Sequence, residues 1–129
     1  MDLEHIKRLS PDEFETYSAL WWNSHYKGKA TVTHKGPKGG DQGIDLEIRD
    51  EKTGEIFELG QCKRYTEEYN APDKVDKIPK EFIEKFKCDM EIKKVKKGVF
   101  FSTLEYDQET WRRAKKLGIF LIPPKDLEK

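Results

Sequence analysis

The alternation of apolar and polar positions changes period several times along the 129 residues of the chain. "SPDEFETYSALWW" opens a helix: Ser10 is placed as N-cap, Pro11 at the first helical position, and Glu13 where its carboxylate can reach back and complete a capping box. Phe14, Tyr17 and Trp21 recur at helical spacing and are expected to face a core, with Ala19 and Trp22 above them and Glu15 at the edge of the stripe. "KATVTH" then reads as a short β-branched strand, ended by the turn-rich "GPKGGDQG". In "IDLEIR" the period becomes two, with Ile44, Leu46 and Ile48 on one face and Asp45, Glu47 and Arg49 on the other. "DEKTGE" is a turn, and "IFELGQCKRY" returns as the next strand. A hairpin symmetric about Thr53 sets Asp45 opposite Gln61, with Lys63 one diagonal step further on the same face and Cys62 turned to the other. A one-residue slip in register would scatter that cluster.

Beyond a connection at Glu67 to Lys74, the segment "IPKEFIEKFKCDM" reads as a helix behind Pro79 with Phe82, Ile83 and Phe86 on one face. "KKGVFFST" is an unbroken apolar run, typical of a strand covered on both faces. "YDQETWRRAKKLG" is a helix from Asp107 as N-cap to Gly118 as stop, and "IFLIPP" is a last short strand. The order α-β-β-β-α-β-α-β predicts an α/β (α+β) fold, a central mixed β-sheet flanked by helices, as one domain over residues 1–129. Trp21, Trp22 and Trp111 fall on the helical face pattern and are read as core residues rather than base-stacking ones.

Composition narrows the function. The charged fraction of 39% exceeds the usual value of about 25%, so the surface is dense in ions. The formal net charge of zero argues against a protein that coats nucleic acid by bulk electrostatics, while leaving room for a local basic patch. His25 to Gly40 carries Lys27, Lys29, Lys35 and Lys38 and no acid, whereas Asp41 to Glu58 is mostly acidic. Cys62 and Cys88 have neither CxxC spacing nor histidines at zinc-ligand spacing, which fits a reducing cytoplasm. The start "MDLEHIKRLS" has no apolar core, and no run approaches the roughly 18 apolar residues of a membrane span. His5, His25 and His34 are scattered, and Gly36 to Gly43 lacks the GK[ST] of a phosphate loop, so it is read as the turn that delivers Asp45.

The polar cluster carries chemistry. Cleaving a phosphodiester needs a divalent metal at the scissile phosphate and a cation for the charge that builds there. Asp45 is read as the central ligand, the Cys62 backbone carbonyl as a second, and Gln61 as a ligand or water-orienting group. Glu15 reaches the metal directly or through water, and Lys63 is the cation. An all-oxygen set of this kind suits Mg²⁺, with Mn²⁺ as a substitute. Lys35, Lys38, Gln42 and Arg64 flank the site and are read as contacts to DNA, through its phosphates rather than its bases.

The residues also carry a family resemblance. "FE" on the first helix, "GGDQGID", "GQCKRY", "GVFFST" and "AKKLGIFLIP" together resemble the Mrr-type branch of the PD-(D/E)XK nuclease superfamily, over nearly the whole chain. The family motif D…QxK falls on Asp45, Gln61 and Lys63, and its helix-one glutamate on Glu15. The resemblance implies a restriction-endonuclease-like fold and a magnesium-dependent DNA endonuclease of restriction and defence type. Members often pair this domain with a separate DNA-reading domain, so specificity is expected in such a domain or in a partner protein. Double-strand cutting needs two active sites, which predicts a homodimer or a transient pair. Two other functions fit the same residues: a structure-selective nuclease of junction-resolvase type, distinguished by preference for branched DNA, and a catalytically silent DNA-binding module.

Overall fold

The computed structural model describes residues 1–34, 44–65 and 76–128. The principal helix, α2 (Pro11–Tyr26), begins as its sequence predicts. The Ser10 hydroxyl accepts the Glu13 amide at 3.1 Å, and the Glu13 carboxylate accepts the Ser10 amide at 2.8 Å. Before it lies a short helix, α1 (Leu3–Arg8), capped by the Asp2 carboxylate on the His5 amide at 2.9 Å. After α2 come β1 (Ala30–His34), β2 (Leu46–Asp50) and β3 (Ile56–Lys63), then α3 (Lys80–Ile92), β4 (Lys97–Ser102), α4 (Gln108–Leu117), β5 (Ile119–Ile122) and α5 (Pro124–Leu127). The predicted order is therefore present, with α1 and α5 added at its two ends.

Among the described residues the strands form one sheet in sequence order, β1-β2-β3-β4-β5. The first three are antiparallel neighbours, while β3, β4 and β5 run parallel. This is the expected mixed sheet: a tight turn joins β2 to β3, and α3 and α4 are the crossovers that parallel pairing requires. Alternation along each strand divides the core into two layers. Leu46, Ile48, Val99 and Phe101 face Ile6 of α1, Phe14 and Trp22 of α2 and Leu127 of α5. Leu59, Phe100, Ile119 and Leu121 face Ile83, Phe86 and Met90 of α3 and Ala114 of α4.

The buried stripe of α2 is Phe14, Ser18, Ala19 and Trp22, with Tyr17 and Trp21 half-buried beside it. The register is thus i, i+4, i+8 from Phe14, which rotates the helix slightly from the predicted face and brings Ser18 inward. Glu58, 2% exposed, fastens this helix to the sheet, accepting hydrogen bonds from Trp22 Nε1 at 2.7 Å and Tyr26 Oη at 2.5 Å. Trp111 corrects a sequence expectation: it lies on the outer side of α4 and is 44% exposed. It completes no helical stripe, since the buried residues of α4 are Thr110 and Ala114.

The hairpin register decides where the polar residues meet. Leu46 pairs with Gly60, Glu47 with Leu59 and Ile48 with Glu58, each pair equidistant from Thr53. Nearer the turn the register shifts by one between Ile48 and Arg49, so a bulge absorbs the irregularity away from the Asp45 end. Gly60 is required at its position, because a Cβ there would stand 3.0 Å from the Cβ of Leu46 on the facing strand.

A candidate metal-binding active site

The polar residues gather where β2 begins, β3 ends and the first half of α2 passes over. Asp45 lies one residue before β2, and its amide donates to the Gly60 carbonyl at 2.8 Å. Its carboxylate Oδ2 accepts the Cys62 amide at 2.8 Å. In an extended strand the N–H and C=O of one residue point to the same side. The Cys62 carbonyl therefore leaves β3 on the Asp45 side, consistent with the Lys63 carbonyl pointing oppositely to accept the Thr103 amide at 3.3 Å. Gln61, 8% exposed, is on the opposite face from Cys62. Lys63 shares that face, and its Nζ lies 5.5 Å from the ring centroid of Phe82, next to α3.

Glu15 reaches this point from α2. Its carboxyl is hydrogen-bonded to that of Asp45, and its Oε1 is buried without a hydrogen-bond partner. Burial, followed by the charges of Asp45 and Asp12, raises its pKa from the ordinary 4.5 to about 7. One turn along α2, the Ser18 hydroxyl is fully buried. Burial and then the Asp45 charge push the Cys62 thiol well above its ordinary value, so the sulfur is an inert packing group.

The raised Glu15 pKa has a measurable consequence. Between pH 4.5 and 7 the folded metal-free protein holds a proton on Glu15 that the unfolded chain has released. This group therefore costs stability progressively as pH rises through that window, and the full cost persists above it. Glu15→Gln, melted in chelator across the window, is expected to show a shallower fall in Tm than the unmodified protein and a higher Tm above pH 7. Parallel curves would place Glu15 in an ordinary solvated setting.

The structure thus brings Asp45, Gln61, Cys62, Lys63 and Glu15 to one end of the sheet. Lys35, Lys38 and Gln42 lie outside the described residues. Arg64 is half-buried and donates from Nη1 to the Lys7 carbonyl at the end of α1, at 3.2 Å, so it supports α1 as well as flanking the site. Two residues without a signal in the sequence reading shape the site. Ser18, three residues on from Glu15, sets its buried hydroxyl beside the Cys62 thiol, and helical spacing from Glu15 was the one pointer to it. Thr103, fully inside, uses its hydroxyl to accept the Tyr65 amide and to donate to the Tyr65 carbonyl, both at 2.7 Å, which fixes the chain as it leaves Lys63. Among the described residues no three His, Cys, Asp or Glu side chains cluster as a metal site. A donor set of two carboxylates, an amide and a main-chain carbonyl falls outside that pattern, and it is the set that oxygen-seeking Mg²⁺ accepts.

The Mrr catalytic-domain profile, described as a restriction endonuclease, matches residues 6–129. Two solved structures share the fold. One is the MspJI restriction endonuclease in complex with a 27-mer oligonucleotide, at TM-score 0.66 and 14% identity, over 98% of this chain and 29% of that one. The other is the DNA modification-dependent restriction endonuclease AspBHI, at TM-score 0.57 and 15% identity, over 97% of this chain and 32% of that one. The chain thus spans about a third of the length of these two proteins. No curated protein matches it significantly. With the profile covering the whole sheet and every residue of the Asp45, Gln61, Lys63 and Glu15 cluster, the chain belongs to the Mrr catalytic-domain family of restriction endonucleases.

Proposed function

We propose that this chain is a divalent-metal-dependent DNA endonuclease of restriction type, hydrolysing phosphodiester bonds with Mg²⁺, or Mn²⁺ in its place. The observation that carries the reading is the Glu15 carboxylate, held against Asp45 with one oxygen buried and unsatisfied and its pKa raised to about 7. Two carboxylates pressed together repel, and a buried acceptor left unbonded costs free energy. A cation between them would relieve both costs, so the residues fit a hard divalent ion. Asp45, Glu15, Gln61 and the Cys62 carbonyl would hold it. Bound there, it would supply Lewis-acid polarisation of the phosphate and a more acidic water.

The rest falls to the chain itself. Lys63, whose Nζ stands over the Phe82 ring on the α3 side, is assigned as the cation that meets the charge accumulating on the phosphoryl oxygens. The Gln61 amide, fixed by burial, orients water or phosphate. The Cys62 amide holds the Asp45 carboxylate in place, so that little reorganisation is needed when substrate arrives. Lys35, Lys38, Gln42 and Arg64 are assigned to DNA contact, and cutting both strands calls for two copies acting together.

Incubation with supercoiled plasmid at low salt, with Mg²⁺, with Mn²⁺ and with chelator, tests the reading. Nicking or linearisation with either metal and none in chelator is the expected pattern. Equal cleavage in chelator would remove the metal from the mechanism. Metal-induced stabilisation without cleavage of plain, methylated or branched DNA would leave a silent DNA-binding module. Among the described residues no helix is long and apolar enough to cross a membrane.

A further inference from the structure

A concavity with no assigned role lies away from the catalytic end. It is a groove of about 670 Å³ between α4 and β5, floored by Trp111, Ala114, Ile119 and Leu121, with Lys115 on its rim. Arg112 belongs to the same wall. β5 is the last strand of the sheet and pairs only with β4, so its outer backbone groups have no neighbouring strand among the described residues. Both faces of this edge carry an exposed aromatic. Phe120, 61% exposed, stands on the α2 side within 5.9 Å of the Trp22 ring, and Trp111 stands on the α4 side. Soluble proteins protect such an edge or use it.

The charges say what fits. Glu109 of α4 pairs with Lys80, and Arg113 with Glu84, which occupies the charges on the α3 side. Among the described residues Arg112 and Lys115 have no carboxylate partner, while the Lys97 ammonium stands 5.5 Å over the Phe57 ring on the α2 side. Two copies pairing edge to edge through β5 would set these cations against each other, which disfavours a second copy as occupant. A nucleic-acid strand would need polar groups along its length for successive phosphates, and the floor between the rim cations is apolar. An extended peptide satisfies all three features. Its backbone completes the β5 edge, and its alternate side chains fall on Phe120 and into the Trp111 groove. Its acidic residues would meet the rim.

We propose that the β5 edge and the α4 groove form a docking surface for an extended segment of a partner protein, acidic and apolar in alternation, added as a further strand of the sheet. The site is separate from the metal-binding end and does not depend on the nuclease reading.

The test uses a labelled synthetic peptide alternating glutamate with isoleucine and phenylalanine, a lysine counterpart, and a labelled single-stranded oligonucleotide. Each is titrated with the full chain while fluorescence anisotropy is recorded at low and moderate salt. Saturable binding of the acidic peptide alone is expected, weakened about tenfold or more by Trp111→Ala and by Arg112→Glu with Lys115→Glu. All three positions are exposed, so the variants should fold, which circular dichroism checks. Asp45→Asn should bind the peptide as the unmodified chain does. Absence of acidic-peptide binding, equal binding of the lysine peptide, or preferential binding of the oligonucleotide would each overturn the proposal. So would concentration-dependent self-association that is lost in Trp111→Ala.

Discussion

Asp45→Asn is expected to cut plasmid at a rate about a hundred- to a thousandfold below that of the unmodified chain while keeping its fold. The substitution removes the negative charge and little else. Asp45 Oδ2 now accepts the Cys62 amide at 2.8 Å, and an asparagine amide oxygen can accept the same bond, so the β2–β3 hairpin should keep its register. The Asp45 charge is also the second cause, after burial, of the raised Glu15 pKa. Its loss should lower that pKa, and the metal-free variant should melt no lower than the unmodified protein above pH 7. Inactivity with retained or raised Tm is therefore the specific signature of a ligand, whereas alanine would orphan the Cys62 amide and confuse the two effects. Undiminished cleavage by the asparagine variant would displace Asp45 from the centre of the site.

Lys63→Met is expected to cost a similar factor, about a hundred- to a thousandfold in cleavage rate, by removing one stabilising charge from the transition state. Methionine keeps most of the aliphatic stem that runs along β3 and α3, so packing against Phe82 is largely retained. Stabilisation by Mg²⁺ should survive in this variant, since Lys63 is not a ligand. Single-turnover cleavage beside thermal melts with and without metal separates the two roles. Loss of metal stabilisation together with activity would mean that Lys63 organises the site rather than serving the chemistry.

The sequence made the hairpin register legible because the constraint is strict: with one face buried, only one register keeps Leu46 and Ile48 inside, and that register is symmetric about Thr53 from Leu46–Gly60 to Ile48–Glu58. At Asp45 the amide bonds to Gly60 and the carboxylate to the Cys62 amide, a detail the alternation did not show. The bulge at Ile48 and Arg49 left no mark in the alternation, but it lies on the turn side and does not disturb the site. Glu15 was legible for a weaker reason, as an acid near the buried stripe with no capping role. Ser18 was not, because a small polar residue inside a helix looks the same facing either way. Helices α1 and α5 are too short for periodicity to register. Ile6 and Leu127, each fully buried, hold them on the core, and the Tyr17 hydroxyl donates to the Leu127 carbonyl. Trp111 was misjudged because aromatic residues on helices usually face inward, and the groove that exposes it forms only when α4 meets an edge strand.

Thr103 has a consequence beyond holding the end of β3. Tyr65 is clamped by its hydroxyl, while Ile78 donates its amide to the Glu105 carbonyl at 2.8 Å and accepts the Thr110 hydroxyl at 2.7 Å. Both margins of residues 66–75 are thus moored to one short stretch between β4 and α4. An intervening sequence bounded this way can be lengthened, trimmed or swapped while Lys63 stays in place. A change of length or sequence there would be absorbed outside the anchors, leaving the geometry of the reaction centre as it is.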